Sequence, residues 1–95
     1  MKTSKENMTR YLERFQMFQR MLQGVAHVSV DCTVVNSYVG HDLIVFPLDE
    51  ESNFIRMKNG DVIMRYFSVA SYNDKEENDK VMQEALQLVK SLKPV

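Results

Sequence analysis

Apolar residues between positions 3 and 23 recur at intervals of three and four, which is the spacing of one face of an α-helix. We therefore predict a helix from Thr3 to Gln23. A capping box of Thr3 and Glu6 is predicted at its start, and Gly24 is placed to end it in the left-handed conformation. The buried stripe of this helix is predicted to contain Met8, Tyr11, Leu12, Phe15, Phe18 and Leu22.

The period of the pattern changes after this helix. From Ala26 to Val34, apolar residues alternate with polar ones, which predicts a β-strand with one buried and one solvent-exposed face. Such alternation is typical of an antiparallel sheet covered on one side. Asn36–Asp42 is rich in turn-forming residues and predicts a hairpin connection. Further strands are predicted at Leu43–Leu48, Phe54–Lys58 and about Asp61–Ala70.

The dipeptide Asn59-Gly60 is the strongest hairpin signal in the chain. It predicts a two-residue turn that joins the third and fourth predicted strands. The cross-strand pairs expected from this turn are Lys58 with Asp61 and Met57 with Val62.

A second helix is predicted to begin near Asn73, which is a good cap residue with Glu76 at the third position. Its buried stripe is predicted to contain Val81, Ala85, Leu88, Val89 and Leu92, with Met82 and Leu86 at the edge. The elements together predict an α+β fold (α-β-β-β-β-α). A helix, an antiparallel meander of about four strands and a second helix form a single compact domain over residues 1–95.

Both helices are expected to pack on the apolar face of this sheet. The last predicted strand is apolar on both sides, so it is expected to need cover on both faces, from a helix on each or from a partner subunit.

Composition limits the classes of protein that this chain can represent. With 95 residues, 44% hydrophobic residues and a net charge of −1, it has the composition of a folded domain without a strong field toward nucleic acid or anionic membranes. The start of the chain is polar, and its longest apolar run, Leu43–Phe46, is too short to cross a bilayer. We therefore expect a cytoplasmic protein that does not associate with membranes.

Residues with catalytic or metal-binding chemistry do not form a known motif. His27, His41, Asp31 and Asp42 match no spacing of a transition-metal site, and His41 is expected in a turn. The single cysteine, Cys32, shares the parity of the apolar strand residues, so it is expected to be buried and inert. The sequence therefore predicts no enzyme activity, no catalytic residues, no metal site and no cofactor.

One flank of the first helix suggests an interface. Arg10, Arg14, Met17 and Met21 lie to one side of the buried stripe, and Met and Arg are enriched where proteins meet. The alternative is that Met17 and Met21 cover the sheet or the second helix of the same chain. The predicted function is a non-enzymatic protein-binding domain of the adaptor, chaperone-like, inhibitor or immunity type, with a protein partner or a second copy of the chain.

Two other functions stay open at this point. The basic first helix and the element order, which is similar to that of the double-stranded-RNA-binding domain, suggest a nucleic-acid-binding regulator. In that family a basic cluster opens the second helix, whereas Asp74–Lys80 of this chain is net acidic and would repel phosphate. The third function is a small-molecule-binding domain with a pocket between sheet and helix.

Overall fold

The computed structural model describes residues 2–93, in which one helix precedes and one helix follows the strands of an antiparallel sheet. In chain order the elements are α1 (Lys5–Met21), β1 (Ala26–Val35), β2 (Tyr38–Pro47), β3 (Arg65–Ala70) and α2 (Lys75–Leu92). The three strands lie in the order β1-β2-β3. The predicted α+β class is confirmed. Neither helix in the described part of the chain is long and apolar enough to cross a membrane.

Both helices pack on one face of the sheet, which decides between the one-sided and two-sided cover that the sequence left open. The face carries alternate strand residues such as Val45 and Val69, which are fully buried beneath Phe15 of α1 and Val89 of α2. The buried residues that α1 contributes are Met8, Tyr11, Phe15, Phe18 and Leu22, while Leu12 is half-buried. α2 buries Met82, Ala85 and Val89, and only partly buries Val81 and Leu88. Met82, which the sequence placed at the edge of the α2 stripe, is therefore part of its buried centre, whereas Val81 and Leu88 lie at the edge.

The hairpin connection between β1 and β2 is much shorter than predicted. It consists of Asn36 and Ser37, and Asn36 has the positive φ of 55° that a tight hairpin turn requires. β2 therefore begins at Tyr38, not at Leu43. Tertiary pairing extends the strand, because the main chain of Val39 is hydrogen-bonded to Ser71 beyond the end of β3.

The strand predicted at Phe54–Lys58 is not present. This segment makes isolated bridges only, Leu48 with Phe54 and Arg56 with Val62, and the last strand begins at Arg65. The sheet consequently has three strands instead of about four.

The turn at Asn59-Gly60 lies one residue away from the predicted position. The amide of Gly60 donates to the carbonyl of Met57, and the amide of Met57 donates to the carbonyl of Asp61. Gly60, with φ of 93°, is the left-handed residue of a three-residue turn with a bulge. Met57 therefore faces Asp61, and the predicted pairs across this turn are wrong.

Helix α1 is capped by Ser4 and not by Thr3. The Ser4 hydroxyl accepts from the amide of Asn7 at 3.1 Å, whereas Thr3 is buried. The Thr3 hydroxyl donates to the carbonyl of Asn73 and accepts from the side-chain amide of Asn78. Thr3 thus connects the residues before α1 to α2 by hydrogen bonds. A local capping pattern does not predict this long-range role.

Candidate protein-binding face

The sheet face opposite the helices, here called the outer face, is open to solvent over much of its area. Strand residues alternate between the two faces, so the register fixes which side chains share this one. Three of its rows across the sheet are Ser29–Ile44–Tyr66, Asp31–Asp42–Ser68 and Thr33–Gly40–Ala70. Val35 pairs with Tyr38 in a further row, beside Tyr72.

Three tyrosines make one part of the outer face aromatic. Tyr38, Tyr66 and Tyr72 are 49%, 56% and 58% exposed, respectively. The rings of Tyr38 and Tyr72 meet edge to face with centroids 5.6 Å apart. Edge-to-face contact of two rings is a favourable arrangement, so these side chains are held in place while their outer surfaces stay accessible.

A groove of about 440 Å³ lies between these tyrosines. The groove exists because small residues occupy the middle of the strands, where Gly40 lies between Thr33 and Ala70. The backbone would accept a larger residue at this position, since a Cβ added to Gly40 would meet only the Val69 carbonyl, at 3.7 Å. The space above Gly40 is therefore present because glycine has no side chain.

Asp42 gives the groove a negative charge. Its carboxylate accepts a hydrogen bond of 2.8 Å from the hydroxyl of Tyr66. This hydrogen bond to a carboxylate raises the pKa of Tyr66 above its ordinary value, so the phenol is a neutral donor at physiological pH. Asp31 lies directly opposite Asp42 on β1, and no lysine or arginine occupies the strand positions of the outer face. The face therefore combines aromatic rings with unneutralised carboxylates.

A second aromatic cluster lies farther along the outer face. His27 contacts Phe46 and Phe54 with ring centroids 6.0 and 6.1 Å apart, and Phe46 contacts Phe54 at 5.6 Å. Phe54 is 45% exposed although it comes from the segment between β2 and β3. That segment consequently covers only part of the outer face.

The residues predicted as a partner-binding flank of α1 are divided by the structure. Arg10, Arg14 and Met17 lie on the exposed surface, and Met17 is 41% exposed. Arg10 is paired with Glu6 at 2.9 Å within the helix. Met21 packs against the core of its own chain. Three of the four residues thus remain on one accessible surface, lined also by Glu13 and Arg20.

The predicted burial of Cys32 and the predicted turn position of His41 are both wrong. Cys32 is exposed, because the end of β1 extends beyond the cover of α1. His41 lies inside β2 and is only 3% exposed, and its Nδ1 has no hydrogen-bond partner among the described residues. Burial lowers the pKa of His41, although the nearby backbone of Met8 and the carboxylate of Asp42 act in the opposite direction.

The two residues are direct neighbours across the strands and line one cleft beside α1. Nothing else in the cleft completes a metal site, and the described residues contain no group of three or more His, Cys, Asp or Glu side chains suited to a metal ion.

No family model, curated protein or solved structure matches this chain. The outer face is therefore interpreted from its own chemistry. Sequence reasoning did not select its tyrosines. The available signal was the two-sided apolar character of the last predicted strand, which implied a surface in need of cover but not which residues surround it.

Proposed function

We propose that this chain is a non-enzymatic protein-binding domain whose outer face binds a partner segment carrying basic and apolar side chains. The observation that carries the proposal is the groove that three exposed tyrosines line together with the carboxylate of Asp42, which accepts from Tyr66. Tyrosine is enriched at protein interfaces because it offers a large contact area with few rotatable bonds.

The charge of the groove determines the kind of partner. An arginine of the partner can lie on a tyrosine ring while its guanidinium donates to a carboxylate, which are two interactions that favour arginine over other side chains. One oxygen of Asp42 already accepts from Tyr66, so the carboxylate is oriented before any partner arrives. The small residues Gly40 and Ala70 leave room in the groove for apolar side chains of the partner.

Selection of displayed peptides on the immobilised full chain tests this proposal. We expect selected peptides to be enriched in arginine and apolar residues. Their affinity is expected to fall at least about tenfold, or ~1.4 kcal/mol, with Tyr72→Ala and with Asp42→Asn. Met17→Ala is the matched control on α1 and should leave the affinity unchanged. The proposal would be contradicted if the selected peptides were acidic, or if their affinity fell only with Met17→Ala. Either result would favour the surface of Arg10, Arg14 and Met17 instead.

The same variants separate this function from the two alternatives. Carboxylates at Asp31 and Asp42 repel phosphate, so we expect no salt-sensitive binding of labelled single-stranded DNA or double-stranded RNA in fluorescence anisotropy. Salt-sensitive binding lost on Tyr72→Ala would instead support a nucleic-acid interface. A small-molecule site in the groove would be indicated by fragments that bind and shift the NMR signals of Tyr38 and Tyr66 while the selected peptides bind elsewhere.

A further inference from the structure

Strand β1 is an edge of the sheet, and its free hydrogen-bonding groups can be assigned residue by residue. The carbonyl of Val25 accepts from the amide of Leu48, so this parity of residues faces β2. The carbonyl of Val28 instead accepts from the side chain of Gln19 at 2.9 Å, on the opposite side of the strand. Because antiparallel strands alternate in this respect, Val30, Cys32 and Val34 also direct their amides and carbonyls to the free edge.

Helix α1 protects only the first part of this edge. Gln19, near the C-terminal end of α1, caps Val28, whereas Met8 near the other end lines an open cleft with Cys32 and His41. Among the described residues, no hydrogen bond from this end of α1 reaches β1. Residues 31–35 are exposed, and Val34 is 66% exposed. No hydrogen bond within the described part of the chain reaches the free-edge groups of Val30, Cys32 or Val34.

Natural proteins usually protect such an edge with charge, proline or a covering element, because unpaired strand groups are a template for another strand. Residues Val30–Val35 contain one charged side chain, Asp31, and no proline or glycine. Asp31 directs its side chain to the outer face and not along the edge. The segment is thus suited to pair with a further strand.

We infer that the partner strand at this edge is β1 of a second copy of this chain, antiparallel and centred on Cys32. In this register Val30 lies opposite Val34 of the partner, and Cys32 lies opposite its own equivalent. Each of the three pairs is of the hydrogen-bonded type and exchanges two bonds, so six bonds satisfy all the free groups on both copies. A two-fold axis through Cys32 closes this interface, and the result is a dimer with a continuous sheet of six strands.

Other registers use the edge less completely. A pairing centred on Asp31 places two carboxylates directly opposite each other and needs the Val28 carbonyl, which Gln19 already occupies. A pairing centred on Thr33 leaves Val30 without a partner strand residue. The register centred on Cys32 places Asp31 opposite Thr33 of the partner, a compatible pair on the outer face. Hydrogen-bonding capacity and charge therefore select the same arrangement.

Sedimentation equilibrium on the full chain tests the dimer. A small strand–strand interface is expected to give a reversible dimer within about 1 µM to 1 mM, the range of weak protein complexes. Val34→Lys is expected to weaken dimerisation at least about tenfold, since a lysine on the edge opposes strand pairing. Val35→Lys is the matched control, because Val35 is 57% exposed but its backbone faces β2. A monomer throughout this range, or equal weakening by both variants, would overturn the inference.

Val34→Pro provides a second variant that changes hydrogen bonding without adding charge. Its lost amide points to the free edge, so the pairing of β1 with β2 keeps all its bonds. Amide exchange adds a direct readout. The amides of Val30, Cys32 and Val34 should exchange rapidly in Val34→Lys and slow markedly in the native chain at high concentration, whereas those of Asp31 and Thr33 stay protected in both.

Cross-linking with dibromobimane, a short reagent that joins two thiols, tests the register. Opposite residues of a hydrogen-bonded pair have Cα atoms ~5.5 Å apart, so the native Cys32 should give a covalent dimer efficiently. A cysteine placed by Thr33→Cys in a Cys32→Ser background lies diagonal to its equivalent, ~7–8 Å away, and should cross-link much more slowly. Comparable cross-linking at both positions would reject the register. The outer-face proposal is independent of this result, because Val34→Lys changes the edge and leaves the tyrosine groove intact.

Discussion

His41 and Asn78 are both buried polar side chains, but their surroundings differ. Asn78 accepts from the amide of Ala70 at 3.2 Å and donates to the carbonyl of Ala70 and to Thr3, each at 2.9 Å. His41 has an Nδ1 atom without a partner among the described residues. One residue therefore joins β3, α2 and the start of α1, while the other carries an unsatisfied buried nitrogen.

Asn78→Ala is expected to destabilise the fold by roughly 3 kcal/mol, because it leaves the buried amide of Ala70 without a partner. It also removes one of the two hydrogen bonds made by the Ala70 carbonyl and one of the two made by the Thr3 hydroxyl. Urea unfolding at neutral pH measures this loss. Asn73→Ala is the control, since its side chain only approaches Asn78 at 3.4 Å, and it should cost less than ~1 kcal/mol. Equal losses for the two variants would contradict the role given to Asn78.

His41 is expected to make the chain acid-sensitive. Burial lowers its pKa in the folded state, so the unfolded state binds a proton more readily. The associated stability is fully present above the ordinary value of about 6.5 and is lost as pH falls through the lower pKa of the folded state. His41→Leu should remove this dependence and raise stability by ~1 kcal/mol, because the unsatisfied nitrogen is lost.

Thermal unfolding followed at several pH values between neutral and about 5 would measure this effect. His27→Gln is the matched control, as His27 is exposed. A steep acid dependence that persists in His41→Leu would show that other groups are responsible.

At the scale of elements, the two helices are linked by a buried phenol. The hydroxyl of Tyr11 on α1 donates to Asp79 on α2 at 2.7 Å, and Lys75 pairs with the second oxygen of Asp79 at 2.6 Å. Both hydrogen bonds lower the pKa of Asp79, and the bond from Lys75 has the larger effect. Burial and the bond to Asp79 raise the pKa of Tyr11 to about 12. The helix pair therefore depends on a phenol that stays protonated.

The expected consequence is an alkaline transition. Because the pKa of Tyr11 is raised on folding, its contribution to stability is complete below the ordinary value of 10 and is lost as pH rises through about 12. Absorbance titration should show one of the four tyrosines ionising last. Tyr11→Phe should remove that phase and cost about 1 kcal/mol at neutral pH. Tyr38→Phe is the control, and a late phase that persists in Tyr11→Phe would contradict the assignment.

At the scale of the whole molecule, the main cluster of buried apolar residues in the described part of the chain lies between the helices and one face of the sheet. Phe15 is fully buried there, whereas Phe54 is 45% exposed on the outer face. The two phenylalanines thus provide a matched pair for the one-sided core. They have the same side chain but opposite environments, and their substitution measures what each face contributes to folding.

Phe15→Ala is expected to destabilise the chain by roughly 3–5 kcal/mol through lost burial and a cavity, while Phe54→Ala should cost less than ~1.5 kcal/mol. Urea unfolding of both variants and the native chain provides the measurement. A large loss of stability in Phe54→Ala would mean that the outer face is needed for folding. That face would then not be free to bind a partner.

Local periodicity predicted much of this architecture correctly. The stripe from Met8 to Leu22, the alternation after Ala26 and the second helix all follow from which side chains must leave water, and that information is present in short segments. The α+β class follows from the same patterns, whereas the choice of one face for both helices did not.

Long-range contacts decided the rest. The full length of β2 depends on its pairing with β1 and with the main chain around Ser71, so turn-rich residues became a strand and His41 became buried. Conversely, β1 continues beyond the cover of α1, which leaves Cys32 exposed despite its apolar parity. Parity determines the face on which a side chain lies, but only tertiary structure determines whether anything covers that face.

The sequence by itself therefore determined the two helices, their places before and after the strands, and the apolar side of the first strand, because these depend on local spacing. Only the tertiary structure decided that three tyrosines line one groove with Asp42, that Met21 turns inward while Met17 does not, and that the edge from Val30 to Val34 is left free. The last two features depend on where α1 lies on the inner face, and the first depends on strand pairing; both are set by contacts between residues far apart in the chain.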